Sequence, residues 1–436
     1  MIGEKRVAFI TLGCKVNTAE TEGMKRLFEK EGYLIVAEDE YADVYIVNTC
    51  TVTNKGDRKS RQMLRRVQNI NPKAVIAAVG CFAQVAPEDA AGIEGVSLVV
   101  GNNMKRDIVS LVEQADPMHK SIFVRSRQEL SDFEELPIET YTGHTRAFIK
   151  IQDGCDQFCS YCIIPYARGP ARSRKFEDVV REAEGFARQG FKEVILTGIC
   201  LTTFHGNSGA ADLMALAEEI AGIGGIERIR LGSLEPLHIN RDFIEKAKTI
   251  NKLCPHFHVS LQSGCAKTLE RMNRKYSPND YKKIVNGLRS AMPDASITTD
   301  VMVGFPGETD EDFYESLAFC DEMGFMWVHV FKYSPRKGTP AARFKDQVDP
   351  RVKEERSRAM ISLAERNREA YFKRFIGTEQ RVLFEHGIAS SAEFMGGLTS
   401  QYIPVEAAFD SSGIGEIINI RLIEISGERI RGEKTD

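Results

Sequence analysis

At 436 residues the chain is long enough for two to four domains, and 42% hydrophobic with 28% charged residues suits ordinary buried cores. A net charge of −4 excludes a protein that holds nucleic acid by overall charge, so any such contact must be a local basic patch. The N-terminal run MIGEKRVAFITLGC is too short in apolar residues for a signal peptide, and no stretch suits a membrane-spanning helix, so no membrane is expected.

The expected setting is therefore the cytoplasm, where the ten cysteines stay reduced. There, spaced thiols point to metal binding or catalysis rather than to disulfides.

Residues 1–115 alternate strand and helix patterns. Strands are predicted at Val7–Thr11, Val44–Asn48, Ala74–Val79 and Ser97–Val100. Helices are predicted at Ala19–Gly32 and Asp57–Asn69, with another beginning at Met104. Such alternation predicts a doubly wound parallel sheet. Residues 116–140 are acidic, contain Pro137 and read as a linker.

Residues 141–375 repeat the alternation, with strands at Arg146–Ile151, Glu193–Thr197, Arg228–Gly232, Phe257–Leu261, Ile297–Val303 and Met326–Phe331. Six strand–helix units suit a curved parallel sheet or partial (β/α) barrel, whose chemistry sits at the carboxyl ends of the strands. A long helix over Arg351–Phe375 is stopped by Gly377. Residues 376–436 carry short alternating runs separated by Gly and Ser, which predict a small antiparallel β-barrel. The whole is an α/β chain with an all-β end.

Cys155, Cys159 and Cys162 lie in DGCDQFCSYC, directly after a predicted strand. Three thiols on one short loop can close on three irons of a cubane cluster and leave the fourth iron open, where substrate chemistry happens. Cys14 (TLGCKVN), Cys50 (NTCTVT) and Cys81 (VGCFAQ) each follow one of the first three strands. A parallel sheet places all three on one edge, although no local spacing reveals them. A structural zinc takes four ligands and no fourth candidate is near, so a second cluster with one open iron is the better reading. Cys200, Cys254, Cys265 and Cys320 show no pattern and read as structural.

The CxxxCxxC loop after a strand resembles the radical S-adenosylmethionine superfamily. With the N-terminal cysteine trio and a terminal barrel like a TRAM domain, the chain resembles the methylthiotransferases over its whole length. TLGCKVN, NTCTVT and NKGDRKSRQ are similar to the branch acting on N6-threonylcarbamoyladenosine in tRNA.

The resemblance implies two [4Fe–4S] clusters and S-adenosylmethionine as cofactors, with methylthiolation of adenine carbon 2 at position 37. Cys155, Cys159 and Cys162 would hold the radical-forming cluster, and Cys14, Cys50 and Cys81 the sulfur-bearing one. No side chain is expected to act as an acid or base. A low-potential electron donor and a sulfur source are implied as partners, and the chain is expected to act as a monomer. Related readings are the same chemistry on isopentenyladenosine or a ribosomal protein. A non-enzymatic reading is an iron–sulfur RNA-binding sensor.

For S-adenosylmethionine, the resemblance places Tyr161 near the adenine. It matches Gly198, in LTGI, to one position of a Gly-Gly-Glu-like segment, with no acidic residue following. Ser233, Glu235 and Gln262 are further candidates because they lie at strand carboxyl ends. For the tRNA anticodon stem-loop, two basic runs are candidates. Arg58, Lys59, Arg61, Arg65 and Arg66 share a predicted helix after Cys50. Arg168, Arg172 and Arg174 follow the cluster loop. From Thr378 onward ten acidic residues face five basic ones, an unexpected balance for a barrel that touches RNA.

Overall fold

A computed structural model describes residues 5–136, 138, 141, 143–206, 212–388, 391–408 and 411–435; Pro137 of the predicted linker lies outside them. The first unit is a six-stranded sheet in the order Leu34–Val36, Arg6–Thr11, Val44–Thr49, Val75–Gly80, Val96–Val100, Ser121–Phe123. Every pair is parallel. Helices cover both faces, so the central strands are buried on both sides and read as continuous apolar runs. Ala8, Ile10, Tyr45, Val47, Ile76 and Ala78 pack into one core, and Val7, Phe9, Ile46, Ala77 and Val79 into the other.

Two edge strands escape the sequence reading because three residues are too few to show a period. One of them, Ser121–Phe123, falls inside the predicted linker and belongs to this sheet.

The second unit is an open, curved wall of parallel strands. Arg228–Leu231, Glu193–Thr197 and Arg146–Lys150 form one part; Ser233–Leu234, His256–Val259, Ser296–Val303 and Trp327–Lys332 form the other. The single strand expected at Arg228–Gly232 breaks at Gly232, whose amide donates to Leu196 O at 2.8 Å. Phe257, Val259, Ile297, Val301 and Val328 pack outward against the helices. Strand alternation then turns His256, His258, Thr298, Asp300 and His329 to the inner face.

The helix Pro350–Lys373, capped by Asp349 accepting from Arg351 N at 2.7 Å, leads to the third unit. This is a closed five-stranded barrel around Val382, Phe384, Val405, Ile420 and Ile430. Its pairs are antiparallel except for Pro404–Ala408 with Arg429–Lys434, which closes it in parallel. Core arginines reach up to it. Arg230 donates to Ser400 O at 3.0 Å and Thr399 O at 3.2 Å, and Arg146 meets Glu385 at 2.6 Å. Part of the barrel's acidity is thus spent on docking. Among the described residues, no helix is long and apolar enough to cross a membrane.

Candidate active site

Cys14, Cys50 and Cys81 leave successive parallel strands at the same edge. Gly13 has φ 106°, and a Cβ there would lie 3.0 Å from Cys50 Cβ and 3.1 Å from its Sγ. Only glycine lets these two loops approach so closely. Gly80, at φ 89°, is similarly required, because a Cβ would meet Asn48 Oδ1 at 2.5 Å. Burial, reinforced by Cys81 and Cys14, pushes the Cys50 thiol up to about 11. Burial also raises Cys14.

Cys155, Cys159 and Cys162 line one cavity together with Tyr161, Ser233, Glu235 and Gln262. Burial, with Cys159 adding to it, pushes the Cys162 thiol up to about 12. Two donors point at the other sulfurs: Gln157 N lies 3.4 Å from Cys155 Sγ, and Arg274 Nη1 lies 3.2 Å from Cys159 Sγ. Amide and guanidinium donors of this kind suit thiolates that ligate a metal cluster.

Arg274 was not legible as a site residue. Its Nη2 also reaches both oxygens of Glu235 at 2.8 Å, so the Glu235 carboxylate is tied through Arg274 to the Cys159 thiol. Gln262 has φ 69°, an uncommon conformation for a non-glycine residue. It is pinned there because its amide donates to Asp300 O and its carbonyl accepts from Met302 N, each at 2.8 Å. Gly198 sits just behind the lining, where a Cβ would lie 2.9 Å from Gln152 Cβ. Cys200, read as structural, lines the cavity beside Cys155; its contact is the leading cause that lowers the Cys155 thiol.

A buried charge network joins the two trios. Arg168 closes the short helix after Cys162 and is 0% exposed. It donates to Glu20 Oε1 at 2.8 Å, Asp153 Oδ1 at 3.1 Å and Asn17 Oδ1 at 2.6 Å. Lys150 and Lys105 also bind Glu20, at 2.7 and 3.1 Å, and Arg172 binds Asp153 at 3.1 Å. Asn102 donates to Ala167 O at 2.7 Å and lies 3.9 Å from Cys81 Sγ. Four cations here face two carboxylates. Cys81 and Cys14 are among the groups that favour the charged form of Arg168, against the cost of its burial. A sulfur-only donor set beside surplus buried cations fits an anionic metal–thiolate centre. On the other flank, Arg336 binds Thr51 at 2.5 Å, Asn54 at 2.6 Å and Asp57 at 2.7 Å, fixing the Cys50 loop to the core.

This corrects one expectation. Arg168, Arg172 and Arg174 were read as RNA-binding, yet all three are buried and paired, Arg174 with Glu135 at 2.8 Å and with Glu182. A guanidinium enclosed by carboxylates is not available to a phosphate. The other basic run lies on the helix Asn54–Ile70, capped by Thr53 accepting from Gly56 N at 3.1 Å. Arg58, Lys59, Arg65 and Arg66 are exposed there. Arg66 lies 3.6 Å from Glu38. Arg61 instead turns to Asp89 at 3.0 Å and covers the Phe82 ring at 4.7 Å.

Residues 149–320 match the radical SAM superfamily, and residues 6–101 match the uncharacterized protein family UPF0004. The chain is 39% identical to threonylcarbamoyladenosine tRNA methylthiotransferase MtaB of Bacillus subtilis, covering 96% of this chain and 94% of that protein. The chain belongs to the radical SAM tRNA methylthiotransferases. Its identity to the protein of the same name from Thermotoga maritima is 36%, over 99% of this chain and 98% of that one. A tRNA-2-methylthio-N(6)-dimethylallyladenosine synthase of Natranaerobius thermophilus is 33% identical, over 98% and 96%.

In fold the chain is similar to the radical S-adenosylmethionine methyltransferase TsrM from Kitasatospora setae, with TM-score 0.55 and 15% identity over 78% of this chain and 75% of that one. Membership of an enzyme family removes the non-catalytic sensor reading. The superfamily implies a [4Fe–4S] cluster and S-adenosylmethionine, which the Cys155, Cys159 and Cys162 cavity fits.

Proposed function

We propose that this enzyme replaces the hydrogen at carbon 2 of N6-threonylcarbamoyladenosine, at position 37 of tRNA, with a methylthio group. The observation that carries the reading is the docking of the Cys14, Cys50 and Cys81 edge against the segment after Cys162, through Arg168 and Asn102. Cys155, Cys159 and Cys162 would hold a cluster that supplies one electron to S-adenosylmethionine, and Cys14, Cys50 and Cys81 would hold a second that supplies the sulfur.

The remaining work is positioning. Tyr161, Ser233, Glu235 and Gln262 bind and orient S-adenosylmethionine, with Gly198 giving Gln152 room behind them. Arg274 fixes Glu235 and donates to Cys159. The buried network around Arg168 excludes water between the two thiol sites. Arg58, Lys59, Arg65 and Arg66 hold phosphates of the anticodon stem-loop, whose unpaired adenine is readily presented to the cavity. The chain acts as a monomer supplied by a low-potential electron donor and a sulfur source.

The closer identity to the threonylcarbamoyladenosine relatives favours that branch over the dimethylallyl one. Mass analysis of tRNA nucleosides from a strain lacking the gene tests it. The methylthio form of threonylcarbamoyladenosine should disappear while the isopentenyl form persists; the opposite pattern overturns the assignment.

A further inference from the structure

The inner wall of the core has a cationic floor that the cofactor chemistry does not use. Where the closed barrel docks, Arg146, Arg228 and Arg230 face Glu193 at 3.8, 3.6 and 2.8 Å, and Arg146 also binds Glu385 at 2.6 Å. A fourth cation joins them. Lys15 opens the helix Lys15–Lys30 directly after Cys14, is half-buried, and among the described residues has no carboxylate within ion-pair distance. Its ammonium lies over the Tyr402 ring at 5.8 Å, and Arg230 and Arg146 lie over the same ring at 4.8 and 5.7 Å.

Tyr402 is built into this place. It stacks on His256 at 4.6 Å with planes 16° apart and holds φ 69°, a value tyrosine rarely adopts. Burial pushes its phenol up, yet Lys15, Arg146 and Arg230 hold it below its ordinary value, an independent sign of positive potential. On the same wall the His258 and His329 rings lie 5.7 Å apart. A further carboxylate on that wall, Asp300, is engaged by His258 at 3.3 Å. Counting it, Lys15, Arg146, Arg228 and Arg230 face three carboxylates, Glu193, Glu385 and Asp300, among the described residues. A half-buried cation without a counter-charge is costly unless a ligand anion completes it.

We infer that Lys15 reads the amino-acid arm of the substrate: its ammonium, above Tyr402, takes the carboxylate of the threonylcarbamoyl group. The inference rests on the substrate reading above. Carbon 2 of adenine is separated from the amino-bearing carbon by one ring nitrogen. A base presented to the Cys14 site therefore carries its N6 arm within the length of a lysine side chain. A dimethylallyl arm offers an ammonium nothing, so the same residue discriminates between the two tRNA substrates.

The test uses full-length, cluster-loaded enzyme and anticodon stem-loops that differ only at the target adenosine. One carries the threonylcarbamoyl acid, one its methyl ester and one the dimethylallyl group. Wild type should bind the acid roughly tenfold or more tighter than the ester, the expectation for a lost charge-assisted contact. Lys15→Gln should bind acid and ester alike, and Lys15→Arg should keep the preference. Tyr402→Leu, remote in sequence from every cluster cysteine, should reduce the preference with iron content unchanged, so the outcome does not hang on a variant beside Cys14.

Undiminished discrimination by Lys15→Gln or by Tyr402→Leu overturns the inference. So does a wild type that methylthiolates the acid but binds acid and ester equally, which leaves the substrate reading intact. A wild type that modifies only the dimethylallyl stem-loop overturns the substrate reading, and this inference with it.

Discussion

Arg168 donates to Glu20 at 2.8 Å, and neither side chain has any exposed surface. One residue ends the short helix that follows Cys155, Cys159 and Cys162; the other lies on the helix that begins beside Cys14. Replacing Arg168 by Met strips hydrogen bonds from Glu20, Asp153 and Asn17 in a fully buried site. The expected cost is roughly 3–5 kcal/mol, read by denaturant unfolding. Hydrogen exchange should rise over Lys15–Lys30, where Glu20 sits. Unchanged stability would mean that the remaining cations, Lys105, Lys150 and Arg172, suffice without it.

Arg65 is exposed with no ion pair among the described residues, whereas Arg61 is held by Asp89 and Phe82. Arg65→Ala should flatten the log–log salt dependence of tRNA binding by about one unit. Arg61→Ala should change it less. Equal slopes in wild type and Arg65→Ala would remove Arg65 from the phosphate contacts.

Arg274 serves Cys159 and Glu235 at once. Arg274→Met should weaken S-adenosylmethionine binding by about tenfold or more, because truncating one partner of a buried pair leaves the other charge unpaired. It should also move the cluster potential to a more negative value, since a donor to sulfur is lost. Cofactor titration and potentiometry read the two effects separately; a change in neither would reduce Arg274 to a spacer.

Glu193 carries a pH signature. Burial alone would raise its carboxyl, but Arg230, with Arg146 and Arg228, holds it down to about 2. A carboxylate depressed on folding stabilises the fold above its unfolded value and loses that contribution as pH falls through the folded one. The loss therefore runs from about pH 4.5 down to about 2 and is on the order of 3 kcal/mol. Acid unfolding of the metal-free protein checks this: Glu193→Gln should be less stable at neutral pH and lack that acid limb.

Much of the site was legible because its spacing is either local or topological. The loop of Cys155, Cys159 and Cys162 announces itself in eight residues. Cys14, Cys50 and Cys81 become a set once three parallel strands are recognised. Ser233, Glu235 and Gln262 follow from the rule that chemistry gathers at strand carboxyl ends. What stayed hidden depends on contacts between units. A run containing Arg168, Arg172 and Arg174 looks like a phosphate patch until Glu20 arrives from 148 positions earlier in the chain. Arg274 and Arg336 stand in no motif, and their roles appear only when the loops they hold are brought beside them. The edge strands Leu34–Val36 and Ser121–Phe123 are too short for periodicity to register.

The central claim is that two separate thiol trios each hold a cluster at one shared site. Iron and sulfide analysis of the anaerobically reconstituted protein tests it most directly, alongside a variant with Cys14, Cys50 and Cys81 all changed to Ala. About eight irons per chain in the wild type and about four in the variant are predicted for two cubane clusters. About four irons in both would contradict the account.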